Sequence, residues 1–398
     1  MNKLLEVKLR YNNEKNKQIP GARNLRKNNE TTTQKIDSLV QSLNNVIKYY
    51  DNTPQILKGM LIDVNYNDII AKSNRIKELL KPEGPSKAVM DALTKVDLDS
   101  LKLYPDPEVT KLNEAIANFY GVNKNQVFTG VGSDDVISMI FMTFFNSDKP
   151  VLFPEISYSF YSVWADLHKV PYETVRLDED FNILVEDFNR ENGGIIFPNP
   201  NAPTSKYLEL SSVEEIIKNN QDSVVVVDEA YIDFGGESAI KFVNKYDNLI
   251  VVQTFSKSRS MAGMRIGYAI ANEKLIKALN DVKFSFNSYT MNRTAIELGT
   301  AAINDKAYFE ECCKKIVATR ERTMKALKEL GFSFPESKAN FIFAKHKDVP
   351  ASLIFTKLKE KNIFVRYFNK PRIDNYLRIT IGTDEQMDAL IKALKEIL

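Results

Sequence analysis

The sequence predicts an α/β protein whose large domain has a mostly parallel sheet flanked by helices, with a smaller α+β C-terminal domain after it. Between about residues 105 and 285, helix signals alternate with short apolar strand signals, which is the pattern of βαβ units. Strands as apolar as residues 224–227 and 249–253 are typical of a sheet buried on both faces. After residue 289 a long helical stretch replaces the alternation, which indicates a second domain.

The large domain is assigned to residues 86–285. A turn at Pro82, Gly84 and Pro85 precedes its first helix, because proline and glycine interrupt regular structure. Apolar spacing predicts helices at residues 87–93, 108–120 and 134–144, and strands at residues 126–129, 151–153, 194–197, 224–227 and 249–253.

The small domain is assigned to residues 286–398, and residues 1–85 are assigned to an N-terminal arm. The small domain is predicted to contain a helical stretch from residue 289 to about 330, strands at 340–344, 363–367 and 376–381, and a closing helix from Asp384. The arm is rich in asparagine and lysine in its first part, which predicts poor order. Its basic residues are more typical of a solvated tail than of a binding site.

Composition favours small molecules as partners. The 398 residues are enough for two domains, and 54 basic against 52 acidic side chains give no general attraction to nucleic acid or anionic membranes. The longest apolar run, residues 136–145, is too short to span a bilayer. Cys312 and Cys313 are adjacent in a predicted helix, where a disulfide would be strained, so a reducing cytoplasm fits best.

The most informative segment runs from Leu249 to Ala271, because Lys257 follows a buried strand there and Arg265 stands eight residues further on. Open α/β sheets bind ligands at the carboxyl ends of their parallel strands. An amine held at that edge can condense with an aldehyde, and Ser256 with Arg265 can hold a phosphate. These features together indicate a pyridoxal phosphate site, whereas Lys257 alone is more typical of a solvated lysine in a polar turn.

A second candidate segment follows the strand at residues 126–129. Gly130 and Gly132 come next, and Ser133 with Asp134 then opens an apolar helix. Amides at a helix start, with glycines that let an anion approach, favour a phosphate site. The third glycine of a dinucleotide fingerprint is missing, so a nicotinamide site is the weaker interpretation, and an ordinary helix cap stays open.

Asp228 follows four consecutive valines, and a carboxylate at the tip of such a buried strand needs a partner. A protonated ring nitrogen is one candidate, because the acid would keep the ring an electron sink. Mg²⁺ is another, but the phosphate-binding loop that would accompany it is missing from the sequence. Tyr231 and Asn201 could donate hydrogen bonds to the phenolic oxygen of the same cofactor, although a plain turn asparagine is the default.

Three further side chains complete the candidate set. Tyr158 follows a strand end, where it could stack on a flat ring or pack as an ordinary core tyrosine. Arg366 and Arg378 lie in strand-like surroundings, where carboxylate or phosphate recognition and a salt bridge within the fold explain them equally well. His168 and His346 have neither ligand spacing nor a nucleophile partner, so no metal is expected and a hydrolase triad is disfavoured.

Taken together, the segments PNPNAPT, DEAYIDF, SKSRSMAGMRIG and YLRITIGT resemble the fold type I pyridoxal phosphate aminotransferases, and within them the histidinol-phosphate aminotransferases. The likeness extends over residues 84–398. It implies a pyridoxal 5'-phosphate cofactor, a homodimer, and exchange of an amino group between L-glutamate and imidazole acetol phosphate in histidine biosynthesis. Aromatic amino acid aminotransferases and threonine-phosphate decarboxylases are the alternatives on the same scaffold.

The resemblance also implies a role for each site residue. Lys257 would be the Schiff-base lysine and proton shuttle, and Asp228 the partner of the pyridinium nitrogen. Tyr104 would reach the cofactor phosphate of the neighbouring subunit, Arg378 would bind the substrate α-carboxylate, and Arg366 would help to bind the substrate phosphate. The remaining cofactor contacts would be Ser133, Asp134, Ser256 and Arg265 at the phosphate, Asn201 and Tyr231 at the phenolic oxygen, and Tyr158 on the ring.

The chain departs from the family at two places. Where the family has an Asn-Glu-Asn-Pro segment before the Gly-Pro-Ser turn, this sequence reads KELLKPEGPSKAV, which alters one wall of the substrate pocket. The NAPT turn usually ends in glycine, and Ser205 takes that place here. The substitution is mild only if the backbone at residue 205 tolerates a side chain.

Overall fold

A computed structural model of the chain describes residues 84–398, so nearly all of the predicted arm at residues 1–85, with its basic cluster, lies outside the described residues. Within the described part, two sheets account for all the strands. No helix among these residues is long and apolar enough to cross a membrane.

The larger sheet has seven strands in the order β1-β7-β6-β5-β4-β2-β3. They are β1 Val127–Gly130, β2 Val151–Pro154, β3 Tyr172–Val175, β4 Gly194–Pro198, β5 Val225–Asp228, β6 Leu249–Thr254 and β7 Gly267–Ala271. The ladders from β3 to β6 are parallel, whereas β7 runs antiparallel to both of its neighbours. Because Thr254 pairs with Gly267, β6 ends and β7 begins at the same edge of the sheet.

Helices cover both faces of this sheet. In β6, Leu249 and Val251 belong to one apolar cluster, and Ile250 and Val252 belong to another. This alternation follows from the two-residue period of a strand and confirms the predicted α/β class. The helices are α1 Lys87–Thr94, α2 Thr110–Tyr120, α3 Ser133–Phe144, α4 Phe160–His168, α5 Leu210–Asn219, α6 Glu273–Phe286 and α7 Arg293–Asn304.

The second sheet is antiparallel, with the strand order β10-β11-β9-β8. Its core is closed by apolar side chains of the three helices around it. These elements are α8 Lys306–Glu329, β8 Phe332–Ser333, β9 Phe341–His346, α9 Ala351–Glu360, β10 Arg366–Tyr367, β11 Leu377–Thr380 and α10 Asp384–Ile397.

The two sheets meet at a seam of apolar and ionic contacts. Ile156 and Phe181, from the side of the larger sheet, pack in one cluster with Phe343 and Ile373. Arg372 donates to a carboxylate oxygen of Glu155 and to the backbone carbonyls of Leu177 at 3.1 Å and Asp178 at 2.6 Å. This seam fixes where β9 and β11 lie beside the larger sheet.

Several elements differ from the sequence-based expectations. The single helical stretch predicted from residue 289 to 330 is two helices, because Asp305 ends α7 and caps α8 through its side chain. The strand predicted at residues 363–367 is reduced to Arg366–Tyr367. The elements that the sequence interpretation did not predict are α4, α5, α6, α9, β3, β7 and β8.

Candidate active site

Lys257 lies in the connection between β6 and β7, at the sheet edge where the parallel strands end. Its side chain is half-buried, and its ammonium nitrogen is 5.3 Å from the ring centre of Tyr231. The connection is tied to neighbouring segments, since the next residue, Ser258, donates a 2.5 Å hydrogen bond to Asp233. These contacts hold the side chain of Lys257 near the ring of Tyr231.

Asp228 is the last residue of β5 and is only 5% exposed. Its Oδ2 accepts a 2.8 Å hydrogen bond from the hydroxyl of Tyr161, and its Oδ1 accepts one from the backbone N–H of Ala230 at 3.2 Å. Burial raises the pKa of Asp228 to about 6, while these bonds and the charge of Lys257 act in the opposite direction. The group is therefore mostly ionised at neutral pH.

The start of α3 has the features that favour binding of an anion. The helix begins at Ser133 without a side-chain cap, after Gly132 with a φ of 87°. A guanidinium nitrogen of Arg265 lies 3.4 Å from Asp134, and a Cβ added to Gly132 would lie 2.5 Å from the same nitrogen. Uncapped amides beside an arginine favour a phosphate or carboxylate at this place. Ser256 lies in the same connection as Arg265, with its hydroxyl 3.0 Å from that of Thr254.

Tyr158 lies between the start of α3 and Tyr161, which contacts Asp228. Its hydroxyl donates to Asp134 at 2.9 Å, and its ring packs against Phe160 and Tyr161. Burial, together with the hydrogen bond to Asp134, raises the pKa of Tyr158, so the phenol stays protonated. A ring fixed in this way can pack against a flat ligand.

Asn201 is buried, but its polar atoms are only partly satisfied. The amide nitrogen donates to the carbonyl of Ile156 at 2.9 Å and to the hydroxyl of Thr204 at 3.0 Å. Its Oδ1 has no hydrogen-bond partner among residues 84–398. Donation from Asn201 to a cofactor oxygen therefore requires one of these two bonds to be exchanged, for instance by rotation of the amide.

Arg366 and Arg378 face each other across the β10–β11 ladder. Like charges directly opposite are unfavourable, and neither arginine pairs with a carboxylate among the described residues. The guanidinium of Arg378 lies 5.2 Å from the ring centre of Phe341, whose ring contacts Tyr231 edge to face. Its Nε is buried without a partner in the described part of the chain. Arg366 is exposed, so the pair presents positive charge to a ligand.

Tyr104 is not part of this group of contacts. Its side chain is 78% exposed and stacks on Tyr289, with ring centres 4.6 Å apart. Its backbone carbonyl accepts from Arg293. The role that the family resemblance implies for Tyr104 concerns a neighbouring subunit, and it stays a prediction.

The two histidines have local partners. His168 lies 3.2 Å from the hydroxyl of Ser138, and His346 accepts hydrogen bonds from backbone N–H groups through its Nδ1. Among residues 84–398, no three histidine, cysteine or acidic side chains converge as a metal site would require.

Tyr161 is the site residue that sequence reasoning missed. It lies within the segment VLFPEISYSFY, three residues after Tyr158, and it is fully buried. A tyrosine in an apolar helix reads as core packing, and only its hydroxyl contact with Asp228 distinguishes it. The sequence offered one signal: a buried tyrosine hydroxyl usually has a hydrogen-bond partner, so a tyrosine in an apolar helix indicates a polar group nearby.

The side chains at this edge fit pyridoxal phosphate on their own chemistry. Asp228 offers a buried carboxylate, Arg265 and the start of α3 offer an anion pocket, and Asn201 offers a buried amide with an unused atom. Together with Lys257, these groups match the acid, anion site, polar contact and amine that such a cofactor needs.

A strand-end lysine beside a buried acid, on a mostly parallel sheet covered by helices, fits an enzyme that uses pyridoxal phosphate, and the family comparison narrows this class to the aminotransferases. The model of the aminotransferase class I and II family matches residues 74–394, and the chain belongs to that family.

Individual relatives agree with this assignment. Over 317 residues, the chain is 53% identical to histidinol-phosphate aminotransferase 1 of Hydrogenovibrio crunogenus, which covers 80% of this chain and 89% of the relative. It is 50% identical to the histidinol-phosphate aminotransferase of Clostridium beijerinckii over 80% of this chain and 88% of the relative. The crystal structure of the Sinorhizobium meliloti histidinol-phosphate aminotransferase with pyridoxal-5'-phosphate superposes with a TM-score of 0.72 at 25% identity, covering 79% and 88% of the two chains.

Proposed function

We propose that this protein is a histidinol-phosphate aminotransferase that interconverts L-histidinol phosphate plus 2-oxoglutarate and imidazole acetol phosphate plus L-glutamate. The proposal is carried by one arrangement, the Lys257 amine held beside Tyr231 at the edge where buried Asp228 ends its strand. Relatives at about half identity over most of the chain bear that name, which supports the choice of substrate.

The cofactor we infer is pyridoxal 5'-phosphate, which when bound supplies an aldehyde for an amine and a ring that takes up electrons. Arg265, with the amides of Ser133 and Asp134 and the hydroxyl of Ser256, would hold its phosphate. Asp228 would accept a hydrogen bond from its ring nitrogen. Tyr158 would pack on the ring, and Tyr231 with a reoriented Asn201 would donate to its phenolic oxygen.

Lys257 would then move the proton of the reaction. Its nitrogen lies on the side that Tyr231 borders, and the neighbouring bond from Ser258 to Asp233 limits its motion. With the cofactor bound, Lys257 would take the proton from the substrate Cα and deliver it to the C4′ carbon of the cofactor. Lys257 and Asp228 thus act on different ends of the same ligand.

The arginine pair would select the substrate. Arg378, with an unused buried Nε beside Phe341, suits the α-carboxylate that glutamate carries. Arg366 is exposed opposite it and suits the phosphate of histidinol phosphate. Neither arginine pairs with an acidic side chain among residues 84–398. An anion bound between the two facing guanidinium groups would therefore reduce their repulsion.

Glutamate formation tests this proposal. Cofactor-loaded protein is incubated with histidinol phosphate and 2-oxoglutarate, and glutamate is measured; its absence would reject the function. Lys257→Ala should lower turnover by at least about a hundredfold, while circular dichroism stays that of the wild type. Aromatic amino acids and threonine phosphate, offered in parallel, test the alternatives, because a higher kcat/KM for either would reassign the substrate.

We also propose that the enzyme is a cytoplasmic homodimer without nucleic-acid or membrane partners. Exposed apolar side chains recur in residues 98–104, with Leu98 at 75% and Leu101 at 58% exposure, and Phe286 is 70% exposed. Apolar surface of this kind marks an association site. Sedimentation equilibrium should give twice the chain mass, and Leu101→Asp should lower it. Leu353→Asp, at an exposed site in α9, is the control that should not.

A further inference from the structure

We propose that Tyr161 is a positioning residue for Asp228, whose phenol keeps the carboxylate charged and aimed at the ring nitrogen of the bound cofactor. The inference rests on the proposed function, because it concerns how the same site holds its cofactor. Tyr161 contacts Asp228 directly and acts through it.

The hydrogen bonds around Asp228 leave room for the ligand. Tyr161 donates to Oδ2 at 2.8 Å, and Ala230 donates to Oδ1 at 3.2 Å. Each carboxylate oxygen can accept two hydrogen bonds, so one position on each oxygen stays available. With one donor on each oxygen, the plane of the carboxylate is set before the cofactor arrives.

The ring of Tyr161 is itself held in place. It is fully buried in α4 and packs edge to face against Phe153 and Tyr158, with ring centres 5.7 Å apart in both cases. Its hydroxyl cannot turn to solvent, so Asp228 is the partner that satisfies it. A side chain fixed by packing on both sides is suited to orient another group.

The charges that face Asp228 come from three other elements. Asp134 in α3 disfavours ionisation of Asp228, whereas Lys257 after β6 favours it, and Tyr158, just before α4, lies within electrostatic reach. Burial has the largest effect and raises the pKa of Asp228 to about 6, while donation from Tyr161 opposes it. Without that donor, Asp228 would be protonated over more of the neutral range and would be a poorer acceptor for a protonated ring nitrogen.

Tyr161→Phe tests the inference, because it removes the hydroxyl and keeps the ring. Tyr268→Phe is the matched control, since Tyr268 is equally buried but its hydroxyl contacts Gln253 and Tyr120. We expect the Tyr161→Phe variant to bind pyridoxal phosphate about tenfold more weakly, which is the worth of one hydrogen bond to a charged group. The acid limb of its kcat/KM profile should move up by about one pH unit. The control should match the wild type in both measurements.

Unfolding of the apoenzyme gives a readout that needs no activity. The folded pKa of Asp228 lies above its unfolded value of 3.8, so its contribution to stability is present below pH 4 and is lost as pH rises towards 6. In Tyr161→Phe this loss should continue to higher pH, whereas Tyr268→Phe should only shift the whole curve. Parallel curves for Tyr161→Phe and wild type, or unchanged cofactor affinity and acid limb, would overturn the inference.

The two proposals fail in different ways. If the wild type makes no glutamate, the proposed function fails, and the unfolding curves still decide whether Tyr161 controls the ionisation of Asp228. If the wild type turns over and Tyr161→Phe behaves identically, only the inference fails. Should Tyr161→Phe not fold, Tyr161→4-aminophenylalanine retains a donor at the same position. That variant should fold. Because an aniline is a weaker donor than a phenol, the acid limb of its kcat/KM profile should lie above that of the wild type, but by less than about one pH unit. An acid limb at the wild-type position would overturn the inference.

Discussion

Ser205 occupies a backbone conformation that favours glycine. Its φ is 63°, it is fully buried, and its hydroxyl has no partner among the described residues. A side chain in the left-handed region is strained, and an unpaired buried hydroxyl adds a desolvation cost. Serine at this position is therefore accommodated at a cost in stability.

Ser205→Gly should raise the free energy of unfolding by about 1 kcal/mol, because it removes both the strain and the unpaired hydroxyl. Urea unfolding followed by circular dichroism measures it. Ser205→Ala is the control, since it removes the hydroxyl and keeps the strained φ, so it should gain less. If alanine stabilises as much as glycine, backbone strain contributes nothing.

Glu229, directly after the site aspartate, should make stability depend on pH. It accepts hydrogen bonds from Ser238, Ala239 and Gln253, yet burial raises its pKa to about 8. A folded pKa above the unfolded value means that stability is complete below about pH 4.5 and is lost as pH rises through 8.

Unfolding of the apoenzyme at a series of pH values tests this effect. The free energy of unfolding should fall by a few kcal/mol between about pH 5 and 9. Glu229→Gln should flatten the profile above about pH 6, because the titrating group is gone. Glu237→Gln, at an exposed residue, should leave the slope unchanged; an equal slope in both variants contradicts the assignment.

At the scale of single residues, the sequence predicted the groups whose chemistry is unusual for their place. Lys257 and Asp228 stand out because a charged side chain follows an apolar strand. Tyr161 does not stand out, because a tyrosine is as common in a core as in a site. The unused oxygen of Asn201 depends on which atoms its amide meets, and no local pattern encodes that.

At the scale of elements, the start of α3 depends on how closely β7 approaches it. A Cβ added to Gly267 would overlap backbone atoms of Ser133 and Gly132. Backbone cannot move aside as a flexible side chain can, so the anion pocket requires glycine at this point of β7.

Gly267→Ala should lower the free energy of unfolding by about 1 to 3 kcal/mol and weaken pyridoxal phosphate binding, because α3 must shift. Thermal unfolding and titration with the cofactor measure the two effects. Gly263→Ala is the control in the same connection, since a Cβ there has nothing within 4 Å. Equal affinity in the two variants would show that the close approach does not shape the pocket.

Strands were predictable where the sequence has an unbroken apolar run with strong strand propensity, and were missed where it has none. The run of valines before Asp228 is apolar throughout, and β5 and β6 lie where expected. β3 reads YETV and is mostly exposed at the sheet edge, so it lacks an apolar pattern. β7 reads GYAIA, and glycine and alanine have low strand propensity. β7 is a strand because it pairs with β1 on one side and β6 on the other. A prediction from a short stretch of sequence does not include such tertiary contacts.

At the scale of the whole molecule, Arg372 holds the two sheets together. It donates to Glu155, Leu177 and Asp178 from the turn before β11, and the carbonyl of neighbouring Ile156 accepts from Asn201. The adjacent residues Glu155 and Ile156 thus link the contact between the sheets to Asn201 in the candidate site.

Arg372→Ala should lower the free energy of unfolding by about 2 kcal/mol, because it removes the three hydrogen bonds that Arg372 donates across the seam. The KM for histidinol phosphate should rise several-fold while the wild-type spectrum of the cofactor is retained. Arg176→Ala removes an exposed pair with Glu179 and is the control for loss of a surface charge. An unchanged KM in Arg372→Ala would separate the seam from substrate binding.

The reversed direction of β7 has a mechanical consequence for any movement of the second sheet. Since Thr254 and Gly267 are paired, residues 255–266 form a loop closed at its base, and this loop contains both Lys257 and Arg265. A displacement of the second sheet would therefore move Arg378 relative to Lys257. It would leave Lys257 and Arg265 in the same closed loop of the larger sheet, so their separation does not depend on where the second sheet lies.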